Sequence, residues 1–182
     1  MEMLNHHCGV VRDARGVVHV TIANAGSLNI LSSPVIEAVR EGLTRLSADR
    51  SIRVVVLRGE SDKSMIGGAD IKEMARLEQK SAEAFISRLR DLCEAVRNFP
   101  APVIARMPGW CLGGGLDAAV EHTVASLLAC APEALRAQKA LLRQWEELPL
   151  TESVNLSVGV FGQSFLTDEP KRLMQGFIDR KR

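Results

Sequence analysis

Three consecutive glycines, Gly113 to Gly115, follow the apolar run 102–105 and the dipeptide Pro108-Gly109. An apolar run closed by Pro and Gly is typical of a buried strand that ends in a turn. Because glycine has no Cβ, its backbone N–H groups can approach a ligand with no side chain in the way. The stretch therefore predicts a strand that delivers open amides to a site, with a flexible turn as the alternative interpretation.

A second glycine loop, residues 63–74, also follows a strand-like run, residues 54–57. Two strand-to-glycine-to-helix units can bring their amides to one point. Asp70 and Glu73 have capping-box spacing, so a helix is predicted to begin at Ile71, with its free N–H groups pointing back at Gly67 and Gly68. We favour caps over catalytic groups as the role of the two acids.

The order of elements, the Gly-Gly-Ala-Asp-Ile-Lys-Glu-Met loop that starts at Gly67 and the later Gly-Gly-Gly loop resemble the enoyl-CoA hydratase/isomerase (crotonase) superfamily. The resemblance runs along most of the chain. It implies an α/β fold, a crotonase-like spiral of repeated β-β-α units with a helical C-terminal layer. Residues 1–116 would form the α/β core with the acyl-CoA and oxyanion-hole loops, and residues 117–182 the C-terminal helical segment.

The resemblance also implies a reaction, the addition of water across the α,β double bond of an acyl-CoA thioester. The enolate-like transition state needs donors aimed at the thioester oxygen, and by residue match these are the backbone amides of Ile66 and Gly114. Asp117 falls by spacing at the position of one catalytic acid, or alternatively caps a helix; the second acid has no candidate. Further positions implied to contact substrate are Ala25, Ser64, Gly67, Gly68, Ala69, Asp70, Ile71, Leu112 and Gly113.

Two other functions remain open. A double-bond isomerase would use the same amides with one carboxylate, and a non-catalytic protein would keep the fold and acyl-CoA binding without turnover. No metal or redox cofactor is implied, because coenzyme A enters as part of the substrate. Family resemblance further implies a homotrimer or a dimer of trimers.

One departure from the family pattern follows the Gly-Gly-Gly loop. Residues 117–122, directly after Leu116, resemble the start of the family's distal helical segment. The strands and helices that lie between the glycine loop and that segment in the family are therefore missing from this sequence. Either the natural chain has an internal deletion or the sequence omits residues of the protein. We favour the second, because deleting central strands would leave large apolar faces uncovered.

The rest of the chain is predicted from periodicity. Residues 10–22 form a hairpin with its turn at 13–16, a helix starts at Ser33-Pro34, and 52–58 is a central strand buried on both faces. An apolar stripe at 82–96 predicts a core-facing helix, and four stripes after residue 116 predict four helices that pack within the subunit or between subunits. The alternation of strands and helices favours a mostly parallel sheet.

Charge and composition exclude several classes of protein. With 23 Lys+Arg against 22 Asp+Glu, the net charge of +1 gives no case for nucleic acid or an anionic membrane. No run reaches the roughly 18 apolar residues of a membrane span, and no signal peptide is recognisable, so a cytosolic protein is expected. The four scattered cysteines are expected to be free and mostly buried, His6-His7 to be a solvated tail, and His19 a strand surface residue.

Overall fold

Within the described residues, five strands form one mixed sheet, in the order in which they occur along the chain. The computed structural model describes residues 1–24, 28–108 and 115–180. The first three strands are antiparallel neighbours, and the third, fourth and fifth are parallel, so the expectation of a mostly parallel sheet holds for one half only. The strands are β1 Glu2–Asn5, β2 Cys8–Arg12, β3 Val17–Ile22, β4 Val54–Gly59 and β5 Val103–Arg106.

The N-terminal half of the sheet is a three-stranded meander. The predicted hairpin is confirmed, with Gly16 in its turn at φ 83°, where a Cβ would lie 2.7 Å from the backbone oxygen of Ser51. The expectation of a solvated tail around His6-His7 was wrong, because β1 pairs with β2 and these residues form the turn between them. His7 Nδ1 lies 2.8 Å from the carbonyl oxygen of Ala23, which joins this turn to the end of β3.

Seven helices are assigned within the described residues. The helix predicted to have Ser33 as N-cap and Pro34 as its first residue begins one residue earlier, at Ser33, with Ser32 as N-cap. The four C-terminal helices confirm the prediction, and no strand occurs in residues 115–180. The division at 116/117 falls inside α4 and stays a prediction. The helices are α1 Ser33–Ser47, α2 Ile71–Met74, α3 Gln79–Arg97, α4 Gly115–Ala129, α5 Pro132–Trp145, α6 Leu150–Ser164 and α7 Glu169–Arg180.

The core lies on both faces of the sheet, as the continuous apolar sequence of β4 predicts. Val55 and Leu57 belong to the larger cluster, which includes the apolar faces of α1 and α3. Val54 and Val56 face the other way and pack with Val124 of α4. The apolar residues of α1 that recur at helical spacing are all buried, at 0–2% exposure: Val35, Ile36, Val39, Leu43 and Leu46.

The carboxyl ends of β4 and β5 lie side by side, since Arg58 is the register partner of Arg106. The first glycine loop follows β4 at this edge, and β5 ends at the same edge. Carboxyl ends of neighbouring parallel strands are the usual place for a ligand in an open α/β sheet. The fold therefore makes this edge the candidate place for the site.

Candidate functional site

The first glycine loop contains a backbone amide with no acceptor among the described residues. Ile66 is 39% exposed, and within residues 1–24, 28–108 and 115–180 its N–H has no hydrogen-bond acceptor. Gly68 has φ +132°, a conformation that disfavours any side chain, and among the described residues no atom other than those of Gly68 and its chain neighbours lies within 4 Å of the place where its Cβ would be. An uncommitted N–H on such an exposed loop can donate to a ligand oxygen.

The segment 28–31 is hydrogen-bonded to the first glycine loop and fixes its position. Leu31 N–H donates to the Gly68 carbonyl at 2.8 Å, and Asp70 N–H donates to the Leu31 carbonyl at 2.8 Å. A Cβ on Gly67 would lie 2.6 Å from the Leu28 carbonyl oxygen, so glycine is needed for this close approach. The predicted substrate positions 64–71 are thereby fixed against the chain that follows β3.

The expected capping box at α2 is only half present. Asp70 Oδ1 accepts from Lys72 N at 2.8 Å and from Glu73 N at 3.2 Å, so Asp70 is the predicted N-cap. The expectation of free helix amides pointing at the glycines was wrong for these two N–H groups, which the cap satisfies. The Glu73 carboxylate binds the N–H of Ser33 at 2.9 Å and also its hydroxyl, so it ties α2 to the first turn of α1.

Sequence reasoning missed Asn29, which is 2% exposed and adopts φ 55°. Its Nδ2 donates to the Met65 carbonyl at 2.7 Å, and its Oδ1 accepts from Asn24 N at 3.2 Å. Asn24 in turn donates from Nδ2 to the Ile30 carbonyl at 2.5 Å. The available signal was the turn-rich segment itself, because asparagine tolerates left-handed backbone and bonds to nearby main chain.

The predicted site residues divide into those the structure places and those it does not. Ile71 is 79% exposed beside the loop. Asp117 is the third residue of α4, so its backbone lies within the helix and the alternative as an N-cap was wrong. Four predicted positions lie outside the described residues: Ala25, Leu112, Gly113 and Gly114. The pairing of the two amides stays a prediction.

Two arginines lie at the sheet edge next to the loop, and one of them is ion-paired. Arg58 and Arg106 are neighbours across β4 and β5, and Arg106, 12% exposed at its side chain, pairs with Asp62 at 3.1 Å. Burial of His19, and secondarily the charge of Arg58, lowers the pKa of that imidazole, which is half-buried and not the surface residue expected. Arg58 offers a cation at this edge for a ligand that carries or develops negative charge.

A groove of about 740 Å³ lies elsewhere, between α5, α6 and α7. Trp145, Phe161 and Leu173 are among its lining residues, and none of the predicted site residues is. The described part of the chain holds no cluster of three or more His, Cys, Asp or Glu suited to a metal ion. None of its helices is both long enough and apolar enough to span a bilayer.

Comparison with known proteins finds similarity in sequence over the first two thirds of the chain. The family model described as enoyl-CoA hydratase/isomerase matches residues 12–121, more than half of the chain. Enoyl-CoA hydratase domain-containing protein 2, mitochondrial, of Bos taurus is 32% identical over 113 residues, 62% of this chain and 38% of that protein. Methylglutaconyl-CoA hydratase, mitochondrial, of Mus musculus is 32% identical over 58% of this chain and 34% of that protein. A probable enoyl-CoA hydratase of Bacillus subtilis is 34% identical over 57% of this chain and 40% of that protein. The matched part is thus well under half the length of these relatives.

Similarity in structure extends through the C-terminal helices. An enoyl-CoA hydratase of Mycobacterium smegmatis superimposes with a TM-score of 0.86 over 97% of this chain and 97% of that chain, at 20% identity. One from Bacillus anthracis superimposes with a TM-score of 0.85 over 96% of this chain, at 16% identity. These matches establish the crotonase fold.

Proposed function

Because the chain belongs to the enoyl-CoA hydratase/isomerase family, we propose that it binds an acyl-CoA thioester and adds water to a 2-enoyl-CoA. The observation that carries this proposal is the open N–H of Ile66, on a glycine loop at the carboxyl end of β4. The guanidinium of Arg58 at this edge supports a negatively charged ligand.

The Ile66 amide would stabilise the negative charge that develops on the thioester oxygen during the reaction. As a base takes one proton from the water, the water oxygen bonds to Cβ, and the electrons of the double bond shift through Cα to the thioester oxygen and give an enolate; a proton delivered to Cα then restores the carbonyl and leaves a hydroxyl on Cβ. The hydrogen bond from an N–H fixed in advance near that oxygen is stronger in the transition state than in the ground state, because negative charge grows on the oxygen. Ile66 would supply one such donor and Gly114 the other.

Only one residue of the chain is a candidate for the acid and base of the reaction. Asp117, in the first turn of α4, is the one candidate that spacing offers for moving the proton. With a single carboxylate, the chain also suits a double-bond isomerase, in which one group removes a proton and returns it elsewhere. Product mass separates the two reactions, since hydration adds a water and isomerisation leaves mass unchanged.

The test compares Ile66→Pro with Ile66→Ala. Proline removes the N–H, whereas alanine keeps it and trims only the side chain. We expect hydration, followed as loss of the enoyl absorbance, to fall about 10²–10³-fold in Ile66→Pro and to change little in Ile66→Ala. Full turnover by a folded Ile66→Pro protein would refute the assignment, and acyl-CoA binding by a wild type without turnover would favour the non-catalytic alternative.

Three further parts of the proposal concern the whole protein. No metal or redox cofactor takes part in the proposed reaction, since coenzyme A belongs to the substrate. The cytosolic location predicted above is retained, although two of the relatives are named as mitochondrial. Self-association as a homotrimer or dimer of trimers is supported by exposed apolar side chains along α6, which are described below.

A further inference from the structure

Asn29 contacts the same peptide unit that carries the proposed donor. Its Nδ2 donates to the Met65 carbonyl at 2.7 Å. The carbonyl of Met65 and the N–H of Ile66 belong to one planar trans peptide, and they point in opposite directions. A side chain that fixes the carbonyl therefore fixes the direction of the N–H on the other side.

The Asn29 side chain is itself immobilised. It is 2% exposed, and its Oδ1 accepts from Asn24 N at 3.2 Å while its Nδ2 serves Met65. Gly59, the last residue of β4, leaves the room for this bond, because a Cβ there would lie 2.7 Å from Nδ2 and 2.8 Å from the Met65 oxygen. A hydrogen bond from a buried side chain that is itself hydrogen-bonded resists rotation of the peptide.

We propose that Asn29 is a positioning residue for the oxyanion donor: its amide holds the Met65–Ile66 peptide so that the Ile66 N–H points into the open space of the site. This inference rests on the proposed function. Hydrogen bonding at the carbonyl also polarises the peptide, which makes its N–H a better donor. In this role Asn29 acts through the Met65–Ile66 peptide and not by contact with the substrate.

The variant Asn29→Asp tests this role with little change of shape. Aspartate has the size of asparagine, tolerates left-handed backbone and still accepts from Asn24 N–H, but its ionised form cannot donate to Met65. A buried carboxylate facing a carbonyl has a raised pKa, and its protonated form regains a donor. We expect kcat to fall at least about 10-fold at alkaline pH and to recover as the pH falls, with little change in KM.

Asn5→Asp is the matched control. Asn5 has the same pair of bonds away from the site, since its Nδ2 donates to the Ala38 carbonyl at 2.8 Å and its Oδ1 accepts from His7 N at 3.1 Å. It should lose stability without a loss of kcat. Asn29→Gly, which suits the positive φ and removes both bonds without burying charge, should lower kcat equally at all pH values.

A spectroscopic measurement separates failure of this inference from failure of the proposed function. A saturated acyl-CoA labelled with ¹³C at the thioester carbonyl is bound to each protein, and the carbonyl stretch is read by difference infrared spectroscopy. We expect a lowered frequency in the wild type and in Asn5→Asp, and a smaller shift in Asn29→Gly and in ionised Asn29→Asp. A wild type without any shift would overturn the oxyanion hole itself. A wild-type shift that both Asn29 variants retain, with unchanged kcat, would overturn the role of Asn29 alone.

Discussion

Burial decides how the individual cysteines of this chain react. Cys8 is fully buried, and burial raises the pKa of its thiol to about 11. Cys93 and Cys130 are free and exposed, so the expectation of mostly buried thiols was wrong for these two. Because the thiolate is the reacting species, we expect iodoacetamide to alkylate Cys93 and Cys130 rapidly in the native protein and to spare Cys8.

Peptide mass mapping of the alkylated protein checks this expectation. Denaturant should expose Cys8 and make it react as fast as the other two, which serves as the internal control. Alkylation of Cys8 in the folded protein at the rate of Cys93 would show that the β2–α1 contact is open in solution.

Lys139 gives stability a dependence on alkaline pH. Its Nζ donates to the Ala101 carbonyl at 2.9 Å, and burial, together with the charge of Arg143, lowers its pKa to about 8. The unfolded chain holds this proton to about pH 10.4, so between these values the unfolded state binds more protons and the free energy of unfolding rises with pH. Since the side chain is half-buried, solvent screening reduces the gain to about 1 kcal/mol.

Urea unfolding of wild type and Lys139→Met across this pH range measures the effect. The quantity to compare is the difference in the free energy of unfolding between the two proteins. The raised pKa of Cys8 lowers stability as the pH rises, but this effect is common to both proteins and cancels in the difference. We expect the stability of wild type relative to Lys139→Met to increase from about pH 8 to about pH 10.4. A constant difference would mean that Lys139 keeps an ordinary pKa.

At the scale of elements, Glu73 joins the short helix α2 to the N-terminus of α1. Its carboxylate accepts from the N–H and hydroxyl of Ser33, which replaces a side-chain cap that Ser32 does not provide. We expect Glu73→Ala to lower the free energy of unfolding by roughly 1–2 kcal/mol, the cost of a lost cap.

A double-mutant cycle with Ser33→Ala isolates this pair. Glu41→Ala is the control, since Glu41 is exposed on α1 and its side chain makes no hydrogen bond among the described residues. We expect a coupling energy between Glu73 and Ser33 of about 1 kcal/mol by chemical denaturation. Additive effects of the two substitutions would show that the helices are joined by packing alone.

The elements that sequence could predict are those with local causes. The four consecutive apolar residues 54–57 predict a strand covered on both faces, and Val35 to Leu46 repeat at helical spacing, so β4 and α1 follow from periodicity. By contrast, β1 exists because it pairs with β2, and Ile86 is 59% exposed although it continues an apolar pattern. Such outcomes depend on tertiary partners, which a local pattern does not contain.

The candidate site shows the same division. The glycine loop at 67–68 and the cap at Asp70 could be read from neighbouring residues. Asn29 and Glu73 could not, because their partners, Met65 and Ser33, lie 36 and 40 residues away along the chain. The residues that hold the loop in place are therefore those that only the fold reveals.

At the scale of the whole molecule, the described structure leaves apolar surface on its helical layer. Leu150, Val154, Val158 and Phe161 follow one another at helical spacing along α6 and are 81%, 55%, 69% and 69% exposed. Phe161 also lines the groove beside α5 and α7. A monomer rarely exposes a contiguous apolar stripe of this kind, which supports the proposed self-association of the helical layer.

The substitutions Val158→Asp and Phe161→Asp, made together, test whether this stripe is the contact. We expect the wild type to have the mass of a trimer or hexamer in light scattering after gel filtration, and the double variant to dissociate, because an association interface tolerates no unpaired charge at its centre. Ile86→Asp, at another exposed apolar helix position, should leave the assembly intact. A wild type of monomer mass would refute self-association, whereas an intact double variant would move the contact to another face.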